Sequence, residues 1–276
     1  MPSIPPADGG LHAGSTVICL HASGGSGAQW KALASELRPD FRVLTPDLYG
    51  HGIAPAWLGA PADIVAADTA RIARLAAASD EPVHLVGHSY GGAIALRVAR
   101  HRPTSIASVV VYEPVTMRIL FDYNRKHRAA TEVAEVASNI NRALNGGDYE
   151  RAAQRFVDYW AGGGQWARLA PERQMTMALR MPVIQAHFVA LVGDGAHLRD
   201  YAGISAPVLY LAGGDTRAST KRIAELMESV LRDVELEVLE GMGHLGPVTH
   251  AEPVAQRIAD FVRQHAAPTV DDRKAA

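Results

Sequence analysis

Val83-His84-Leu85-Val86-Gly87-His88-Ser89-Tyr90-Gly91-Gly92-Ala93 is a short apolar run that halts at a serine between two glycines and continues as a helix. Val83 to Val86 predicts a fully buried strand, and Tyr90 to Arg102 a mostly apolar helix ended by Pro103. Turning a strand into a helix through one residue forces that residue into a sparsely populated backbone conformation. Glycines two before and two after it remove the Cβ atoms that would clash. Ser89 is thereby pushed out above the sheet. The G-x-S-x-G pattern of Gly87, His88, Ser89, Tyr90 and Gly91 is a nucleophile elbow, and a preceding strand and following helix are the context it requires.

Upstream of the elbow, Thr16 to Leu20 predicts a strand that runs into His21-Ala22-Ser23-Gly24-Gly25-Ser26-Gly27, with a helix from about Gln29 to Leu37. A glycine-rich loop between strand and helix can hold a dinucleotide, and Asp47 stands twenty residues past Gly27. The third glycine of that fingerprint is replaced by Trp30, however, too bulky for close packing of helix on strand. The competing reading is that this loop offers backbone N–H groups to an oxyanion in front of Ser89. Phe41 to Thr45 predicts the next strand, and Ala62 to Ala78 a crossover helix. Downstream, Ile106 to Tyr112 predicts a strand ending at Glu113-Pro114. Strands and helices that alternate in this way argue for an α/β fold with a parallel sheet covered on both faces.

From Val115 to about Gly203 the pattern changes to successive helices, including Ala129 to Leu144, Asp148 to Trp160 and Pro171 to Val192. Such a block between two strands reads as an insertion lying over one end of the sheet. The sheet resumes at Pro207 to Ala212, followed by Gly213-Gly214-Asp215, a helix from about Ser219 to Leu231, and a half-exposed edge strand at Val234 to Leu239. Gly241-Met242-Gly243-His244 comes next. The last helix carries Val254, Ile258, Phe261 and Val262 on one face and starts with either a Thr249/Glu252 capping box or Pro253. The expected organisation is a core of residues 1–114 and 203–276, a helical cap of residues 115–202, an irregular start up to Gly14 and a disordered tail over 266–276.

Composition narrows the function classes. The 276 residues carry 27 Lys plus Arg against 29 Asp plus Glu, a net charge of −2, with no long run of either sign. Neither a nucleic acid nor a membrane is expected as partner. The single Cys19 excludes an intrachain disulfide and reads as a small buried hydrophobe. Residues 1–14 lack a basic start followed by an apolar stretch, and no uninterrupted apolar run approaches the roughly 20 residues of a membrane span, so a cytoplasmic enzyme is expected.

In chain order there is a serine on an elbow, an acidic residue past a later strand and a histidine past the last strand. On His21-Ala22-Ser23-Gly24, Gly87 to Gly91, Gly214-Asp215 and Gly243-His244, the chain resembles the α/β-hydrolase family along nearly its whole length. The resemblance implies a triad of Ser89 as nucleophile, His244 as general base and Asp215 as orienting acid, with Glu113 as the alternative acid. It also implies an oxyanion hole from the backbone N–H groups of Ser23 and Tyr90. Within the family, His21, His51 and His88 would be hydrogen-bonding scaffold. Trp160, Met181 and Phe188 are candidates for an acyl pocket, although such residues at helical spacing are more often core. No metal or organic cofactor is implied.

The implied activity is hydrolysis of a small carboxylic ester or related acyl compound; a carbon–carbon bond hydrolase, a lactonase and a non-catalytic receptor on the same fold are the alternatives. The expected partner is a small-molecule acyl substrate, and a homo-oligomer stays open. Two features depart from the family pattern. Only fifteen residues precede the first clear strand, leaving little for the usual antiparallel hairpin, and Thr216-Arg217 follows Asp215 without the proline often found there.

Overall fold

A computed structural model describes residues 15–101 and 103–266. The expectations for residues 1–14, Arg102 and 267–276 lie outside this range. Each strand of the sheet forms where β-branched and aliphatic residues run together. The strands are β1 (Thr16–Leu20), β2 (Arg42–Leu44), β3 (Val83–His88), β4 (Ile106–Tyr112), β5 (Val208–Gly213) and β6 (Val234–Leu239). They form one sheet in the order β2-β1-β3-β4-β5-β6, and every pairing is parallel. No antiparallel strand occurs among the described residues.

The helices are α1 (Lys31–Leu37), α2 (Ile64–Ala77), α3 (Tyr90–His101), α4 (Arg118–Asn124), α5 (Arg128–Asn145), α6 (Tyr149–Ala161), α7 (Pro171–Val192), α8 (Ala218–Glu228), α9 (Gly246–Thr249) and α10 (Ala251–Gln264). Successive strand residues point to opposite faces, which sorts the core into two layers. Val17 and Cys19 of β1, with Val86, Val110, Leu209 and Leu211, pack against Leu33 and Leu37 of α1 and Ile258 and Phe261 of α10. Ile18 and Leu20 point the other way, with Leu85, Val109, Val111 and Tyr210, into a larger layer shared with α2, α3, α8 and the helices between β4 and β5. Cys19 is fully buried, and burial pushes its thiol pKa far up.

The last helix begins with neither expected device. His250, at the junction of α9 and α10, is the residue before Ala251, and Pro253 falls at the third helical position, where its missing N–H costs nothing. The topology places the site. The chain runs from β1 outward to β2 and then returns to β3 on the other side of β1. The carboxyl ends of β1 and β3 therefore diverge at a switch point, where an open parallel sheet leaves a crevice.

Candidate active site

Ser89 follows directly on β3 with φ +54°, and Glu113 follows directly on β4 with φ +42°. They are the two non-glycine residues with positive φ among those described, a conformation that costs on the order of 1–3 kcal/mol and persists only where the surroundings impose it. The elbow glycines are required by close approach. A Cβ on Gly87 would sit 2.4 Å from the Gly91 carbonyl oxygen, and one on Gly91 would sit 2.3 Å from that of Leu20. Adjacent parallel strands thus present Ser89 and Glu113 side by side at the same edge of the sheet.

His244 lies between them. Its Nε2 is 3.0 Å from Ser89 Oγ and its Nδ1 is 2.7 Å from Glu113 Oε2. With Nδ1–H donated to the carboxylate, Nε2 is left as an acceptor facing the serine hydroxyl. Glu113 is fully buried and otherwise satisfied: Gly213 N–H donates to Oε1 at 2.8 Å, and the Thr216 hydroxyl donates to Oε2 at 2.7 Å. The loop holding His244 is pinned by neighbours of the other two. His88 donates from Nε2 to the His244 carbonyl at 2.8 Å, and the Tyr112 hydroxyl donates to the Gly243 carbonyl at 2.8 Å.

The expected orienting acid is thereby corrected. Asp215 is exposed, its backbone N–H bonds the Met242 carbonyl, and its side chain does not reach His244. It stands past β5, one strand beyond Glu113. The extra methylene of glutamate and the positive φ of Glu113 carry the nearer carboxylate across to the β5 end and the histidine. The residues after Asp215 contribute instead. Thr216 holds Glu113, and Arg217 donates to the carbonyls of Tyr159 and Asp158 at 2.5 and 3.0 Å, at the C-terminal end of α6. That anchors the neighbouring Trp160, whose ring stacks on His244 with centroids 3.9 Å apart. Sequence reading took Thr216-Arg217 as a departure from pattern and missed both contacts.

Of the other pocket candidates, Met181 is wholly buried in the core and Phe188 packs edge-on to Phe156. Ser89 and His244 are only 5% and 3% exposed, and Trp160 of α6 lies over His244. A cavity of about 500 Å³ lined by Ile119, Tyr123, His197 and Val230 contains no residue of this cluster.

In the loop after β1, Ala22 N–H donates to Gln29 Oε1, Gly24 N–H to His51 Nε2 and Gly25 N–H to the Ala22 carbonyl, which leaves Ser23 N–H free of these internal bonds. Tyr90 is the first residue of α3, where an N–H has no partner one turn back. The histidines around the loop are tied to backbone. His21 accepts from Leu48 N–H at 3.0 Å and donates to the Ala22 carbonyl at 2.8 Å. His51 accepts from Gly24 at 2.9 Å and donates to the Tyr49 carbonyl at 2.9 Å. Burial holds His21 and His88 below the usual imidazole range and lowers His51 to about 3. Asp47, spaced to meet a ribose, instead accepts from Gly27 and Ile53 N–H at 2.7 and 2.9 Å and ties the two loops together. Tyr90 OH donates at 2.9 Å to Asp68, which burial pushes up to about 6 against the opposing hydrogen bonds from Tyr49 N–H and Tyr90.

A parallel α/β sheet carrying serine, histidine and carboxylate in one relay at its carboxyl edge defines a hydrolase class. Residues 17–257 match the alpha/beta hydrolase family, and the chain belongs to it. It is similar to lipase LipV of Mycobacterium tuberculosis, 32% identical over 63% of this chain and 58% of that protein. It is 27% identical to the pimeloyl-[acyl-carrier protein] methyl ester esterase of Neisseria meningitidis, over 89% of this chain and 93% of the relative. The solved structure of a hydrolase from Pseudomonas aeruginosa superposes with a TM-score of 0.72 at 22% identity, covering 92% of this chain and 91% of that one, a likeness of fold. The protein is a hydrolase.

Proposed function

We propose that the protein hydrolyses a small carboxylic ester or related acyl compound through an acyl-enzyme on Ser89. The carrying observation is the unbroken relay from Ser89 Oγ through His244 to Glu113, at 3.0 and 2.7 Å. Ser89 Oγ attacks the acyl carbon while His244 Nε2 takes its proton, and Glu113 stabilises the imidazolium so formed. The oxygen of the tetrahedral intermediate accepts from the N–H groups of Ser23 and Tyr90, each donor contributing about 3 kcal/mol at the transition state. His244 returns the proton to the departing alcohol, and water then repeats the sequence in reverse to release the acid. No step calls for a cofactor. The helices of residues 115–202 act as a cap that excludes water and selects chain length. Relatives named as a lipase and a methyl ester esterase favour the ester over the alternatives. Turnover of p-nitrophenyl acetate and butyrate is the test, with Ser89→Ala as control. Sustained turnover that is lost in the variant is expected; turnover unchanged in Ser89→Ala contradicts the reading.

A further inference from the structure

The loop after β1 and the elbow meet through a side chain that belongs to neither. His187, on α7, is buried, and its Nδ1 lies 2.7 Å from Ser23 Oγ. Its ring also lies flat on Tyr90, with centroids 3.6 Å and planes 8° apart. The ring of His51, which accepts from Gly24 N–H, stacks against His187 at 5.4 Å. Two turns earlier on α7, Arg180 donates to the carbonyls of Gly24 and Gly25 at 2.5 and 3.3 Å. One helix of the inserted segment therefore touches both residues whose N–H groups would bind the oxyanion and grips the peptide groups beside Ser23.

Such donors must be held to a fraction of an ångström where charge develops. Tyr90 N–H is fixed by the start of a buried helix. Ser23 sits in a loop beside Gly24 and Gly25, residues with little intrinsic stiffness, Gly24 at φ +77°. A tether from outside the loop is the element that fixes it. We propose that His187 is a positioning residue that assembles the oxyanion hole, so that the Ser23 donor is aligned only while α7 is seated on the core. The proposal rests on the acyl-enzyme reading above and assigns the Ser23 hydroxyl a role that its N–H alone does not have. The ring works in its neutral form: its Nε2 has no partner, so a second proton would be a buried donor with no acceptor, and burial together with His51 and His21 keeps that proton off. The contact therefore persists across neutral pH.

The test compares His187→Ala, Ser23→Ala, their double variant and His187→Asn, whose amide N–H can donate to Ser23 Oγ from near the place of Nδ1. The readouts are kcat and KM on p-nitrophenyl butyrate and affinity for butylboronic acid, which forms a tetrahedral adduct on the serine. Each single alanine variant should lower kcat by about ten- to thirtyfold with KM within about twofold, and boronate affinity should fall in parallel. The double variant should be no worse than the poorer single, and His187→Asn should recover most of the loss. A rise in KM alone, additive losses in the double variant or unchanged boronate affinity would overturn the proposal. Should His187→Ala fail to fold, Ser23→Ala carries the same comparison. Ester turnover that survives Ser89→Ala would instead remove the underlying reading.

Discussion

At the residue scale, one carboxylate decides the chemistry, and three donors hold Glu113: Gly213 N–H on Oε1, and the Thr216 hydroxyl and His244 Nδ1 on Oε2. Thr216 shares Oε2 with His244, so it competes for the same oxygen while fixing where that oxygen sits. Thr216→Val removes a hydroxyl without changing volume and should lower kcat about tenfold or less, with stability down by about 1 kcal/mol. Kinetics on one activated ester beside a urea melt measures both, and a loss above a hundredfold would mean that Thr216 does more than orient. Ser89 was legible because glycine spacing announces the strain at an elbow. Glu113 was less so, because its positive φ falls on a residue flanked by Tyr112 and Pro114, with no glycine to advertise it. Its signal was the place itself: an acid at the end of the strand beside the elbow strand, followed by proline.

At the element scale, the strands were readable to within a residue or two, since β1 and β4 begin and end where apolar runs do, and β6 where Val and Leu alternate with Glu235 and Glu237. The inserted helices were readable as helices for the same reason. What they cover was not, because docking depends on side chains from distant segments, such as Arg217 on the C-terminal carbonyls of α6 and its guanidinium 5.0 Å from the Tyr159 ring. That grip seats Trp160 over His244, and on the proposed reading its ring is the wall an acyl or alcohol group would meet. Trp160→Ala should raise the rate on long relative to short acyl esters severalfold, and Arg217→Ala should shift the ratio in the same direction through a loosened α6. A ratio that stays constant in both variants would place the selecting wall elsewhere.

At the scale of the whole molecule, the core that positions the triad is unusually rich in buried neutral histidine. Burial lowers His51 to about 3 and His84 to about 4, and holds His21, His88 and His187 below the ordinary value. These groups bind protons in the unfolded chain before they do in the folded one, so stability is full above about pH 6.5 and falls as pH drops toward the folded values. At about pH 5, His51 and His84 would each withdraw about 2 kcal/mol, and the others add with the same sign. Asp68 runs the other way: its pKa of about 6 lies above the unfolded value, so it favours folding as pH falls from about 6 to 4. One such group does not offset five. Since typical domains hold only about 5–15 kcal/mol, the melting temperature should drop steeply between about pH 6 and 5. A flat melting temperature down to pH 4.5 would contradict the assignment of neutral buried rings. Twelve histidines were visible in the sequence, but which of them are buried depends on packing between distant segments, as where His84 meets Phe41 and Ser108 and His187 meets Tyr90.

If Ser89, His244 and Glu113 act as one relay, turnover of Glu113→Gln beside Asp215→Asn on one activated ester at neutral pH reads it out, each variant first checked for folding by circular dichroism. The amide of glutamine has a single acceptor oxygen to share among Gly213 N–H, the Thr216 hydroxyl and His244, so the imidazole loses its fixed tautomer. Glu113→Gln should fall by about 10³–10⁴ in kcat, while Asp215→Asn, exposed and away from the histidine, should stay within about twofold of the parent. A collapse in Asp215→Asn beside near-normal turnover in Glu113→Gln would contradict the relay and return the orienting role to the later strand.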